Sequence, residues 1–223
     1  MTDKTAPIVE ALIVSDIQIQ QRRLENLIWI LRRKFCSLKS YKYGDAITCY
    51  RAKEKRLTML ILLAASSTSS FTLGTMNSSA QYFKYIGVGI SFVTTIVSGV
   101  QKVQNYPDQI DKGAKMAEDW RKISNTINLR LNKMDETDQN GLIGEEEAVN
   151  IIGDMKVQDL NYVFPVNKVI TETDGNIKTA MKLLDSCVAL KISGACTQDG
   201  VDTINNKVQN LLNPVIVGDN SAV

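Results

Sequence analysis

The sequence predicts a mainly α fold: a two-helix transmembrane hairpin, long cytoplasmic amphipathic helices forming a bundle, and a small helical C-terminal region. Three observations predict it. No charged residue lies between Arg56 and Lys84, and none lies between Lys84 and Lys102. Apolar residues recur every three or four positions on both sides of that stretch, the spacing of amphipathic helices. Basic residues crowd its two outer ends and are missing from the loop inside it.

Composition narrows the chemistry. With 223 residues the chain has room for one or two domains with a normal core. A net charge of +2 predicts no nucleic-acid partner. There is no histidine, which removes the commonest general base, the usual histidine-activated nucleophiles and most catalytic zinc sites. Cys36, Cys49, Cys187 and Cys196 form no CxxC pair, so free thiols in a reduced compartment are expected. Asp3 and Glu10 interrupt the first residues early, and no signal peptide is expected. No cofactor and no enzymatic activity are expected either.

The first region, residues 1–44, reads as one amphipathic helix. Val9, Leu12, Ile13, Ile17, Leu24, Leu27, Ile28 and Leu31 follow helical spacing, with QQRR on the other face. Its end carries Arg32, Arg33 and Lys34, either a solvated face or a membrane-docking patch. Tyr41 to Gly44 reads as a break. Asp45 then caps a second helix bearing Arg51, Lys53, Lys55 and Arg56.

The second region, residues 45–135, holds the apolar segments 57–74 and 81–101. As helices they are about 27 Å and about 31 Å long, against a hydrocarbon core of about 30 Å. TMNSSA joins them as a neutral turn. Arg51, Lys53, Lys55, Arg56 and Lys102 are the expected cytoplasmic interface residues, which places both termini on the cytoplasmic, or virion-interior-equivalent, side. The alternative is a soluble helical protein that buries the hairpin, since the hydroxyl run Ser66 to Ser70 lowers the insertion tendency of the first segment.

Those hydroxyls have a reading of their own. Ser66, Ser70 and Gly74 repeat every four residues, as do Gly87, Ser91, Thr95 and Gly99. Such ladders let helices approach closely in lipid. They are expected to pack the hairpin or join protomers of a homo-oligomer; lining a pore is the sharper alternative. After Lys102, Pro107 suits a first helical turn. Ile110, Ala114, Ala117, Trp120, Ile123, Ile127, Leu131 and Met134 form a partner-helix stripe, with the N-terminal helix as its mate.

The third region, residues 136–223, opens on ETDQNGLIGEEE, Glu136 to Glu147. It nearly fits a calcium-binding loop, with Asp138, Asn140, Gly141, Leu142, Ile143 and Glu147 at suitable positions, but Glu136 replaces the usual aspartate. An acidic turn between helices is the plainer reading. NYVFPVNKVI reads as an edge strand or an extended loop. Asp174 is expected to cap a helix with Ile177, Met181, Leu184 and Val188 on one face. A last helix runs roughly from Asp199 to Leu212. Cys187 and Cys196 are expected to be packing residues.

RAKEKR, the two uncharged segments and DKGAKMAEDWRKISNTINLRL make residues 44–134 resemble the SLATT group of two-helix membrane proteins. The resemblance implies an oligomerising membrane module. In conflict systems such modules are thought to act as pore-forming effectors; others are encoded by large DNA viruses. The expected function is therefore a non-enzymatic, self-associating membrane scaffold or tether. The viral members suggest a structural protein of the virion membrane, a minor capsid protein linking the inner membrane to the shell. The pore-forming effector is the alternative, since no sensor or nucleotide-generating domain is visible. The expected partners are the lipid bilayer, further copies of the chain, and other structural proteins through the C-terminal third.

Overall fold

Helical periodicity is realised throughout as α1 (Ala6–Thr75), α2 (Gln81–Gln104), α3 (Tyr106–Thr137), α4 (Glu145–Val157), α5 (Lys168–Ser193) and α6 (Gln198–Leu212). The computed structural model describes the backbone of residues 6–75, 81–137, 145–157, 162–194 and 196–213. Side chains are described over 16–67, 85–100, 102–132, 147–155, 162–194 and 196–213. No strand occurs among the described residues. NYVFPVNKVI divides accordingly: 162–167 is extended loop, and Lys168 opens α5.

The expected break at Tyr41–Gly44 is absent, and α1 runs straight through it. Asp45 is therefore a mid-helix residue and not a cap. A glycine inside a helix costs only about 1 kcal/mol. Around Gly44, the buried side chains of Lys42, Tyr43, Ala46 and Ile47 tie the helix down. Packing outweighs propensity there.

The chain divides into two compact units. The first comprises Met1–Lys42, Met116–Leu160 and Lys168–Val223. Its core joins Leu24, Leu27, Ile28 and Leu31 of α1 to Leu183 and Cys187 of α5 and to Val201, Ile204 and Val208 of α6, with Cys196 between them. Gly194 takes the left-handed conformation (φ 66°) as the chain leaves α5. Thr197 caps α6, its Oγ1 accepting from the Gly200 amide at 3.4 Å.

The buried face of α5 is Ile170, Ile177, Ala180, Leu183 and Cys187, a rotation from the expected stripe that leaves Met181 47 % exposed. Asp174 lies inside the helix and accepts from Lys42 Nζ at 2.7 Å, so it is no cap. The helix starts earlier than Asp174 because Ile170 already has a place in the core.

The expected pairing of the N-terminal helix with α3 is present in this unit. Trp120 meets Phe35 edge-on at 5.8 Å. Ser124 Oγ donates to the Arg33 carbonyl at 3.3 Å, and Arg33 Nη1 donates to Asn128 Oδ1 at 2.6 Å. Arg32 lies 4.6 Å from the centroid of the Trp29 ring. The basic patch is thus partly engaged within the unit.

The second unit comprises Tyr43–Lys115 and Asn161–Asn167. It contains the second half of α1, all of α2, the start of α3 and the extended loop. Asn105, with φ 40°, makes the corner between α2 and α3; asparagine tolerates that conformation better than most side chains. In the expected α3 stripe, Gly113 takes the buried place at its turn and Ala114 is exposed. Among the described residues one helix is long and apolar enough to cross a membrane. An 18-residue window within Tyr85–Asn132 has mean hydropathy 1.4, with 0 % of it buried.

Candidate membrane-facing site

Two apolar helix segments of the second unit expose most of their side chains. On α1, Leu57, Ile61 and Ala64 are half-buried, while Met59, Leu60, Leu62 and Leu63 are 54–64 % exposed. On α2, Gly87, Ile90, Thr94 and Val97 are half-buried. Val88 and Phe92 are exposed, at 68 % and 67 %. Between the segments runs a groove of about 540 Å³, walled chiefly by Ile61, Ala64, Ile90, Val93 and Val97.

The described ladder residues do not line this groove. Ser66, Ser91, Thr95 and Gly99 are exposed, and of the second ladder only Gly87 belongs to the half-buried stripe. A β-carbon added at Gly87, Gly89 or Gly99 would meet nothing within 4 Å. Close packing inside the chain therefore does not explain these glycines. The side chains of Ser70 and Gly74 lie outside the described residues.

Four of the described hydroxyls bond back to their own helix. Ser66 and Ser67 donate to the Leu63 carbonyl at 2.9 and 2.8 Å. Thr94 donates to Ile90 at 2.8 Å and Thr95 to Ser91 at 2.9 Å. A hydroxyl bonded back in this way presents mostly carbon outward, so an apolar surrounding tolerates it.

Below the apolar segment, Arg51, Lys53, Lys55 and Arg56 are exposed on α1, and Lys102 is exposed in the last turn of α2. These are the residues that the sequence offers as an interface, and the structure leaves them exposed. The sequence does not reveal what braces it. Tyr43, Tyr50, Tyr106, Tyr162 and Phe164 form an aromatic cluster: Tyr43 lies 5.0 Å from both Tyr162 and Phe164, and Tyr50 lies 5.8 Å from Tyr106. The Tyr50 hydroxyl donates to the Val163 carbonyl at 2.7 Å, and Asn167 Nδ2 donates to Cys49 Sγ at 3.4 Å.

Gly113 makes room for this loop. A β-carbon there would stand 2.6 Å from the Tyr162 oxygen and 3.0 Å from Ile47 Cγ1. Burial, with Tyr50 nearby, pushes the Tyr162 phenol up to about 12. Burial also raises Tyr50. Both rings stay neutral at physiological pH. They are wedges between helices, and nothing nearby makes them acids.

Among the described residues, no group of three or more histidine, cysteine, aspartate or glutamate side chains stands ready to hold a metal. The calcium-like loop from Asp138 to Gly144 lies outside the described residues. Glu147, its proposed twelfth ligand, accepts from Arg130 Nε at 2.7 Å. Cys36, Cys49, Cys187 and Cys196 are free thiols. Burial pushes Cys36 up to about 12 and Cys187 up to about 11, so both are packing residues and poor nucleophiles.

No family model matches the chain, and neither does any curated protein or solved structure.

Proposed function

We propose that the chain is a non-enzymatic integral membrane protein, a self-associating scaffold or tether. In this reading the second unit holds the bilayer through a helical hairpin, and the first unit is a helical bundle outside it. One observation carries the proposal: the uncharged parts of α1 and α2 leave leucine, valine, isoleucine and phenylalanine largely uncovered over their described lengths. Water does not tolerate an apolar surface so continuous, whereas lipid does. The exposed basic residues at one end fit a cytoplasmic interface. The exposed glycines of α2, unused within the chain, suit contact with a second copy.

In its most specific form the protein is a virion-membrane component that links an inner membrane to a capsid shell, as the SLATT resemblance suggests. Alkaline carbonate extraction tests the membrane assignment. The protein should stay with the membranes; release as a soluble monomer would overturn the hairpin. The pore-forming alternative is separated by dye leakage from protein-loaded liposomes. A tether leaves the dye inside. Hydroxyls bonded back to their own helices need no water to satisfy their donors, which favours the tether.

A further inference from the structure

The extended loop 162–167 faces two ways. Tyr162 and Phe164 are half-buried in the aromatic cluster and Pro165 is buried, whereas Val163 is 66 % exposed and Val166 is 100 % exposed. This exposure belongs to a fixed loop. The Val163 carbonyl is held by the Tyr50 hydroxyl, Asn167 is held at Cys49, and Tyr162 and Phe164 stack on Tyr43. A further large apolar side chain, Val103, is 86 % exposed at the end of α2, three residues before Tyr106, which packs on Tyr50.

The depth of this patch follows from α1. Tyr50 precedes Leu57 by about two turns, or about 10 Å along the helix. If hydrocarbon begins near Leu57, then Tyr50 and Tyr106 lie in the headgroup layer, where tyrosines favour the interface. The loop bonded to Tyr50 lies at that level too. On α1 beside Tyr50, Arg51, Lys53, Lys55 and Arg56 are exposed against one half-buried acid, Glu54, and Lys53 Nζ lies 6.0 Å from the Tyr50 ring; on α3, Asp108 pairs with Lys112 at 2.8 Å and Asp111 is exposed. The balance of charge on this stretch of α1 is positive.

We propose that Val163, Val166 and Val103 form an apolar tip that docks into the headgroup layer of an anionic bilayer, flanked by these basic side chains. The loop is then a second membrane contact of the second unit, beside the spanning helices. The inference rests on the membrane reading above. It goes beyond that reading because nothing about a spanning hairpin requires a distant loop to touch lipid. An apolar tip beside a net-basic helix stretch is suited to such an interface.

The test uses the full chain in phosphatidylcholine–phosphatidylserine vesicles whose acyl chains are brominated near the headgroup. Val166→Trp adds a reporter at a fully exposed position, and Asp111→Trp adds a reference on α3. The native Trp29 and Trp120 are buried and give a background to subtract. Emission added by Val166→Trp should be blue-shifted and quenched about twofold, that from Asp111→Trp should not be, and removing phosphatidylserine should weaken the quenching. Unquenched, water-like emission from a carbonate-resistant protein would overturn the tip and leave the hairpin standing. Shielding from aqueous acrylamide without quenching by lipid would overturn it in favour of a protein partner. Equal quenching without phosphatidylserine would overturn its anionic preference, and release by carbonate would overturn tip and hairpin together.

Discussion

One helix, α1, carries leucines in two opposite conditions. In the first unit Leu24, Leu27 and Leu31 are 0–6 % exposed, enclosed by α5 and α6. In the second unit Leu60, Leu62 and Leu63 are 54–64 % exposed. The residue type is the same and the helix is the same. What differs is who supplies the apolar surroundings: the chain itself in one unit and, on the reading proposed above, lipid in the other. Hydrophobicity alone therefore says that a residue leaves water, not where it goes.

The largest effects should come from breaking the enclosed end. Leu24→Ala removes a fully buried side chain and should cost about 2–5 kcal/mol of stability in detergent solution. Leu62→Ala should change it by less than about 0.5 kcal/mol. Urea unfolding of both variants in one detergent measures the contrast directly. Equal losses would mean that the exposed end is enclosed by protein after all.

Alkali should sharpen the same contrast. Cys36 and Cys187 belong to the first unit, and burial raises their folded pKa from 9.0 to about 12 and about 11. A folded value above the unfolded one means that the unfolded chain loses its protons first as pH rises. The stabilising contribution is thus fully present below about pH 9 and disappears as pH climbs through the folded values. In that window each group costs about 1.4 kcal/mol per pH unit. Denaturation at pH 8 and pH 10.5 checks the slope, and Cys36→Ala should flatten it. At pH 8 a thiol reagent should modify the half-exposed Cys49 and spare Cys36 and Cys187.

A smaller effect is expected where the second unit does enclose something. Gly113→Ala places a β-carbon 2.6 Å from the Tyr162 oxygen and 3.0 Å from Ile47, and should cost about 1–3 kcal/mol. Protease nicking of loop 162–167 should accelerate in the variant. Gly153→Ala, where an added β-carbon meets nothing within 4 Å, is the matching control and should leave the loop resistant.

Much of this helical architecture is written in local periodicity, and the parts that are not depend on distant partners. Leu24 to Leu31 and Trp120 to Ile127 fall on the predicted stripes because helical spacing is visible within a short window. Gly44 looked like a break because a glycine beside tyrosines reads locally as a turn; only the buried neighbours of the folded unit overrule it. The stripe of α5 differs from local spacing for a related reason: Ile170 and Ala180 become buried only in the folded unit. The exposed apolar segments and their basic border were legible from charge alone. The aromatic brace was not, because Tyr50 and Tyr162 are brought together by tertiary structure and neither carries a local signal for the other. The ladders were visible as a pattern, but a pattern of small residues does not say which neighbour it faces.

That last ambiguity sets the smallest predicted change in fold, and the most informative one. If the hairpin packed through its ladder, Ser91→Leu would force two helices apart and destabilise the second unit. Ser91 is instead exposed, and Ile90 and Thr94 hold the inner positions. Ser91→Leu and Gly99→Leu should therefore shift unfolding by less than about 0.5 kcal/mol. Self-association should respond where folding does not, because a bulky side chain on an outward small-residue face blocks close approach by another helix. Chemical crosslinking across a detergent dilution series measures it: the variants should need higher protein-to-detergent ratios to form the same oligomer. An unchanged series would move the contact between copies elsewhere. Lost stability would return the ladder to the interior of the hairpin. The leucines of Leu60 to Leu63 would then be the outward face by default, and the contrast along α1 would become one between protein and lipid alone.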